Sequence, residues 1–152
     1  MAPPPERRPE PELAEVTRQG VRFDVPSPDN DTREYWAGAH DRRLLIQRCT
    51  ACGKAFFYPR PFCPKCWSED VATEEASGEA TLYTWSVVHV NDLPPFHERV
   101  PYVAAIVDLV EGPRMMTNVV DCDFDALRVG MALRVAYREL TDDVTVPVFA
   151  PA

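Results

Sequence analysis

Two Cys-x-x-Cys pairs, Cys49-Thr50-Ala51-Cys52 and Cys63-Pro64-Lys65-Cys66, stand ten residues apart in a chain of 152. Paired knuckles of this kind present thiolates from tight turns, and two of them close a tetrahedron around one metal ion. Gly53, just past the first pair, supplies the backbone freedom that such a turn needs. The interval is shorter than the roughly 15–20 residues of many paired motifs, yet it is long enough for a hairpin that returns the chain to the metal. Soft thiolates at four corners select zinc or iron, and zinc is the expected metal of a structural site, with iron the alternative. A closed four-thiolate site leaves no position for water or substrate. The ion is expected to hold the hairpin and to do no chemistry.

From Gly78 onward the pattern changes to alternating β segments, expected over Ala80–Val90, Tyr102–Val110, Arg114–Asp121, Ala132–Leu140 and Val144–Phe149. A single helical turn is expected over Asp123–Arg128, ending near Gly130. Five strands with a short helix after the third is the arrangement of an OB-fold. Ahead of the cysteines, Leu44–Arg48 reads as a strand entering the first knuckle, with Phe56, Phe57 and Tyr58 in the interval between knuckles. Asp29-Asn30-Asp31 precedes apolar residues at helical spacing, which predicts a short amphipathic helix over Asp31–Arg42 with Tyr35, Trp36 and Ala39 on one stripe.

The sixteen prolines are unusual, and seven fall within the first 28 residues. Pro3, Pro4, Pro5, Pro9 and Pro11 interrupt any helix there, so this stretch is expected to be an extended tether. The division is therefore 1–28 tether, 29–43 helix, 44–76 zinc ribbon and 77–152 OB-fold. The chain is mainly β. No cationic segment followed by an apolar run stands at the N-terminus, and no apolar stretch approaches the roughly 20 residues that span a bilayer. A cytoplasmic protein with reduced thiols is expected, without a membrane role.

The net charge of −8 is unevenly spread. Arg42, Arg43, Arg48, Lys54, Arg60 and Lys65 lie in a segment that contains no acid, which leaves a net −14 on the rest. A basic cap sits on an acidic body. Part of the basic charge balances a four-thiolate site; the remainder is free to meet an anion.

Known catalytic signatures are absent: there is no G-x-S-x-G, H-E-x-x-H, phosphate loop or dinucleotide fingerprint. Cys122 stands among Asp121, Asp123 and Asp125, whose charges disfavour its thiolate. His89 and His97 flank a proline-rich loop without a nucleophile beside them, and Asp92 and Glu98 read as surface charges.

In layout and in words the chain resembles the family that pairs a rubredoxin-like zinc ribbon with an OB-fold, long catalogued as a domain of unknown function and linked to acyl-CoA metabolism. The resemblance runs from about Thr32 to Ala152. It rests on Glu34-Tyr35-Trp36, Leu44–Cys49, Tyr58-Pro59-Arg60-Pro61 before Cys63-Pro64, Val100-Pro101-Tyr102-Val103, Glu111-Gly112-Pro113-Arg114, Thr117-Asn118-Val119-Val120 and Val146-Pro147-Val148-Phe149. It implies a non-catalytic accessory subunit or domain beside a thiolase-fold acyl-CoA enzyme or a MaoC-like enoyl-CoA hydratase. In steroid side-chain degradation such a domain, fused to a hydratase subunit, docks on a thiolase-like aldolase that performs a retro-aldol cleavage. On that reading the proline-rich stretch looks like a fusion linker.

Two sets of residues follow as expectations. Arg48, Lys54, Arg60 and Lys65 are candidate contacts for coenzyme A phosphates. Tyr35, Trp36, Phe56, Phe57 and Tyr58 are candidate anchors for the partner, the alternative being that the helix stripe packs on the body of the same chain and that any of these aromatics belongs to the core. A stand-alone acyl-CoA-binding protein is the first alternative, although a small barrel filled by its own side chains has little room for an acyl chain. A nucleic-acid-binding ribbon and OB-fold is the second, and the acidic barrel half argues against it, because phosphate-backbone binding needs a sustained cationic track.

Overall fold

The computed structural model describes residues 22–152. Most of the expected tether lies outside that range. The helix α1 spans Arg33–His40, shorter at both ends than its sequence suggests. Its start is set by Asp29, whose Oδ1 accepts from the Thr32 and Asp31 amides and from the Thr32 hydroxyl. Eight strands follow: β1 Leu45–Cys49, β2 Ala55–Phe56, β3 Val71–Glu75, β4 Glu79–Val88, β5 Tyr102–Leu109, β6 Arg114–Val119, β7 Ala132–Glu139 and β8 Thr145–Pro151.

The first three form an antiparallel sheet in the order β2-β1-β3. The ribbon thus has a strand, β3, that the sequence pattern does not announce. It pairs along the whole of β1, from Leu45 opposite Glu75 to Cys49 opposite Val71. The other five strands close into a barrel in the order β4-β5-β6-β8-β7, with β4 returning to β7. This is the OB-fold order, and its one parallel seam joins Val119 of β6 to Phe149 of β8. A 3-10 turn at Phe124–Ala126 follows the third barrel strand, within the segment expected to be helical.

Strand β5 shows why the barrel closes. Val103, Ala105, Val107 and Leu109 are all buried, while the residues between them are half-buried on the other face. Phe149 and Leu133 fill the middle. One continuous core runs from Tyr35, Leu44 and Ile46 through Ala76 to the barrel interior. A second, small cluster sits beneath the knuckles, where Phe56 of β2 packs with Cys49 and Cys63.

Two close contacts fix how the parts meet. The backbone of Gly38 in α1 lies so near Leu45 of β1 that an added Cβ would come within 2.6 Å of Leu45 Cδ1. Gly78, at the passage from ribbon to barrel, has φ of +79°, and a Cβ there would collide with Val135 of β7. Its carbonyl accepts from the Val135 amide at 2.8 Å. At the other end, residues 22–24 lie against the barrel: the Phe23 amide donates to the Pro94 carbonyl, and Arg22 Nη1 donates to the Leu140 carbonyl at 2.7 Å. The stretch read as a tether is therefore fastened at its C-terminal end. Among the described residues no helix is long and apolar enough to cross a membrane.

Candidate metal centre and partner surface

Each knuckle follows directly from strand pairing. β1 delivers Cys49 to the sheet end, where its amide donates to the Lys54 carbonyl at 2.9 Å, and Gly53 N donates back to the Cys49 carbonyl at 2.8 Å. The second knuckle repeats the pattern, with Cys63 N donating to the Ser68 carbonyl and Trp67 N to the Cys63 carbonyl. Backbone amides also point at sulfur: Cys52 N lies 3.4 Å from Cys49 Sγ, and Lys65 N lies 3.4 Å from Cys63 Sγ. Such bonds stabilise thiolates and orient them toward a metal.

The four Sγ atoms all lie within 4.8 Å of one another, with Cys49–Cys66 at 3.6 Å and Cys52–Cys63 at 3.7 Å. A zinc ion with Zn–S bonds of about 2.3 Å needs sulfur separations of about 3.8 Å, so the donor set fits the ion. The thiols also cannot all ionise on their own. Burial opposes ionisation of Cys63, but the Cys66 and Lys65 amides and the neighbouring thiols draw it down to about 7. Although the Ser68 amide favours a Cys66 thiolate, its cysteine neighbours and burial push it up to about 12. A divalent cation removes that conflict. Zinc bound here would cross-link the two knuckles, and Cys49 and Cys63 are buried while Cys52 and Cys66 reach the surface.

The candidate phosphate contacts divide. Arg48 is committed to the ribbon itself: it grips Glu74 of β3 through Nη2 at 2.7 Å and Nε at 2.8 Å, and its Nη1 donates to the Gly53 carbonyl. Arg42 and Arg43 are likewise paired, with Glu139 and Glu75. Lys54, Arg60 and Lys65 are exposed and have no carboxylate partner among the described residues. The basic cap is thus half neutralised by acids of β3 and β7.

The candidate anchors require a correction. Tyr35 and Phe56 are each only 4% exposed and belong to the core, so neither is available to a partner. Tyr35 is ringed edge-on by Trp36, Phe57 and Tyr58 at 4.8–5.4 Å between centroids, and Trp36 Nε1 donates to the Tyr58 hydroxyl at 2.7 Å. The aromatic stripe joins helix to ribbon, and its members Trp36, Phe57 and Tyr58 are half-buried. The most exposed aromatic among the described residues is Trp67, which sequence reasoning passes over; it is 73% exposed and stacked on Phe62 at 5.4 Å. Its position beside a metal-binding cysteine is the available signal. Cys122 is half-buried, and burial together with Asp121 and Asp123 raises its thiol pKa. His89 and His97 are exposed on the β4–β5 connection.

A four-cysteine ribbon on an OB barrel defines a class of zinc ribbon and OB-fold proteins. Two family models match successive parts of the chain: the ChsH2 rubredoxin-like zinc ribbon domain over residues 36–72, and the ChsH2 C-terminal OB-fold domain over residues 73–138. A DUF35 domain-containing scaffold protein of Methanocaldococcus jannaschii is 37% identical over 110 residues, covering 71% of this chain and 77% of that protein. A chain of the Ltp2-ChsH2(DUF35) aldolase superposes with a TM-score of 0.75 at 38% identity, covering 84% of this chain and 98% of that one. The chain belongs to the DUF35 family.

Longer relatives carry the same unit. A probable enoyl-CoA hydratase alpha subunit of Thermomonospora curvata is 38% identical over 93% of this chain, which spans 44% of that protein. The 3-oxo-4,17-pregnadiene-20-carboxyl-CoA hydratase alpha subunit of Mycobacterium tuberculosis is 32% identical over 77% of this chain, which spans 37% of it. Relatives of similar length are named DUF35 domain-containing scaffold proteins.

Proposed function

We propose that this chain is a non-catalytic accessory domain that docks on a thiolase-fold acyl-CoA enzyme and supports its active assembly. The carrying observation is the match to nearly the whole of one chain of the Ltp2-ChsH2(DUF35) aldolase. The relatives named as hydratase alpha subunits support a fused or associated MaoC-like hydratase. The aldolase match and the pregnadiene-carboxyl-CoA relative together support a retro-aldol step on a steroid-CoA.

Within this reading, Trp67 stacked on Phe62 is the anchor, because a large exposed aromatic on a metal-braced turn offers contact area at little entropic cost. Lys54, Arg60 and Lys65 lie on the same ribbon and are the remaining candidates for the phosphates of a CoA ester. Recovery of the tagged chain from lysate of its own host, with identification of co-purifying proteins by mass spectrometry, tests the partner. A thiolase-fold enzyme in near-stoichiometric amount is expected. Recovery of the chain alone, or with nucleic acid, would overturn the reading.

A further inference from the structure

Away from the ribbon, two clefts of about 430 and 380 Å³ open on the barrel. Arg99, Tyr102, Asn118 and Arg138 line both, so the clefts adjoin along one ridge. Arg99 lies in the β4–β5 connection, Tyr102 and Asn118 belong to β5 and β6, and Arg138 stands on β7 opposite Val146. OB barrels present ligands on this same face, between the loop joining their first two strands and the loop joining their last two.

The ridge is rich in donors that lack acceptors. Arg138 is half-buried, and among the described residues its guanidinium makes no ion pair. Burial, followed by the Arg99 charge, holds its pKa below the usual arginine range, while Asp121 acts weakly the other way. Arg99 gives Nη2 to Asp24 Oδ2 at 2.7 Å and keeps other N–H groups free. The Tyr102 hydroxyl accepts from Asn91 Nδ2 at 3.0 Å, which leaves its own hydrogen to donate. The acids on these clefts are Asp24, already held by Arg22 and Arg99, and Asp121. Two guanidinium forks and a phenol offer more donors than one carboxylate accepts, and they suit a phosphate with several oxygens. Each cleft has the size of a small-molecule site.

We propose that this ridge binds the phosphate or pyrophosphate group of a small molecule whose apolar part lies in the adjoining cleft over Phe96, Met116 and Pro147. The site is separate from the ribbon lysines, and it holds whether or not the partner assignment does.

Calorimetric titration of the whole chain with inorganic pyrophosphate, adenosine 3′,5′-bisphosphate and coenzyme A tests it. Arg138→Gln is expected to weaken pyrophosphate binding tenfold or more while zinc content and thermal midpoint stay unchanged, and Arg138→Lys to restore part of the affinity. Arg33→Gln, on α1 and outside both clefts, serves as a control and is expected to change nothing. Tighter binding of coenzyme A than of pyrophosphate would identify a CoA-type ligand, whereas equal binding would identify phosphate alone as the recognised group; both support the site. No pyrophosphate binding by the unaltered chain, or binding indifferent to Arg138→Gln, would overturn it.

Discussion

Gly53 and Trp67 occupy equivalent positions, one residue past the second cysteine of each knuckle, and both have positive φ, +73° and +66°. Glycine takes that conformation freely, whereas a residue with a Cβ is strained by about 1–2 kcal/mol. The strained tryptophan is also the most exposed aromatic of the ribbon, and that combination points to a role outside the fold. Trp67→Gly is expected to keep the zinc and, by relieving that strain, to hold or raise the thermal midpoint, yet to weaken assembly with the proposed partner about thirtyfold, the loss of a contact of about 2 kcal/mol. Cys52→Ser is expected to abolish stoichiometric zinc and to unfold the ribbon, because the free energy of metal binding is here free energy of folding. Metal analysis, a thermal melt and a binding titration on both variants check the pair of outcomes.

Among the elements, those with a clear hydrophobic period are readable from sequence and those held by long-range polar contacts are not. The alternation of β5 marks a barrel strand outright. Strand β3, Val71-Ala72-Thr73-Glu74-Glu75, has no buried residue, and its order comes from its hydrogen bonds to β1 and from the Arg48–Glu74 pair. Nothing local marks it. The same holds for the strap at residues 22–24, where the Asp24 side chain is 3% exposed and is held by Arg22 and by Arg99, 75 residues away. The metal ligands are legible from spacing alone, while the Arg99–Arg138 ridge exists only once the barrel closes. The strap carries its own pH signature. The Arg22 hydrogen bond, opposed by burial and reinforced by Arg99, holds the Asp24 carboxyl below its ordinary value. A depressed carboxyl contributes stability above its unfolded pKa of about 4, and that contribution is lost as pH falls through the lower folded value. Asp24→Asn is expected to cost about 1–2 kcal/mol at neutral pH, less than for a fully enclosed charged pair because Arg22 is solvent-screened. The difference from the unaltered chain is expected to vanish in strong acid. Denaturant melts at pH values of about 7 and about 2, on either side of the carboxylate range, measure it.

At the scale of the whole molecule, the parts divide their work by charge and by rigidity. A metal-braced ribbon carries an exposed tryptophan stacked on half-buried Phe62 and three cations without a carboxylate partner among the described residues, and a closed barrel with one shared core keeps that ribbon in a fixed place. A closed thiolate site and a barrel filled with its own side chains suit positioning of a partner better than bond-making. The most direct measurement is turnover of an acyl-CoA substrate by the proposed thiolase-fold partner alone, by this chain alone and by the two together. The account predicts no turnover by the chain alone and a large gain over the isolated partner when the two are combined. Turnover by the chain alone, or full activity of the partner without it, would contradict the account.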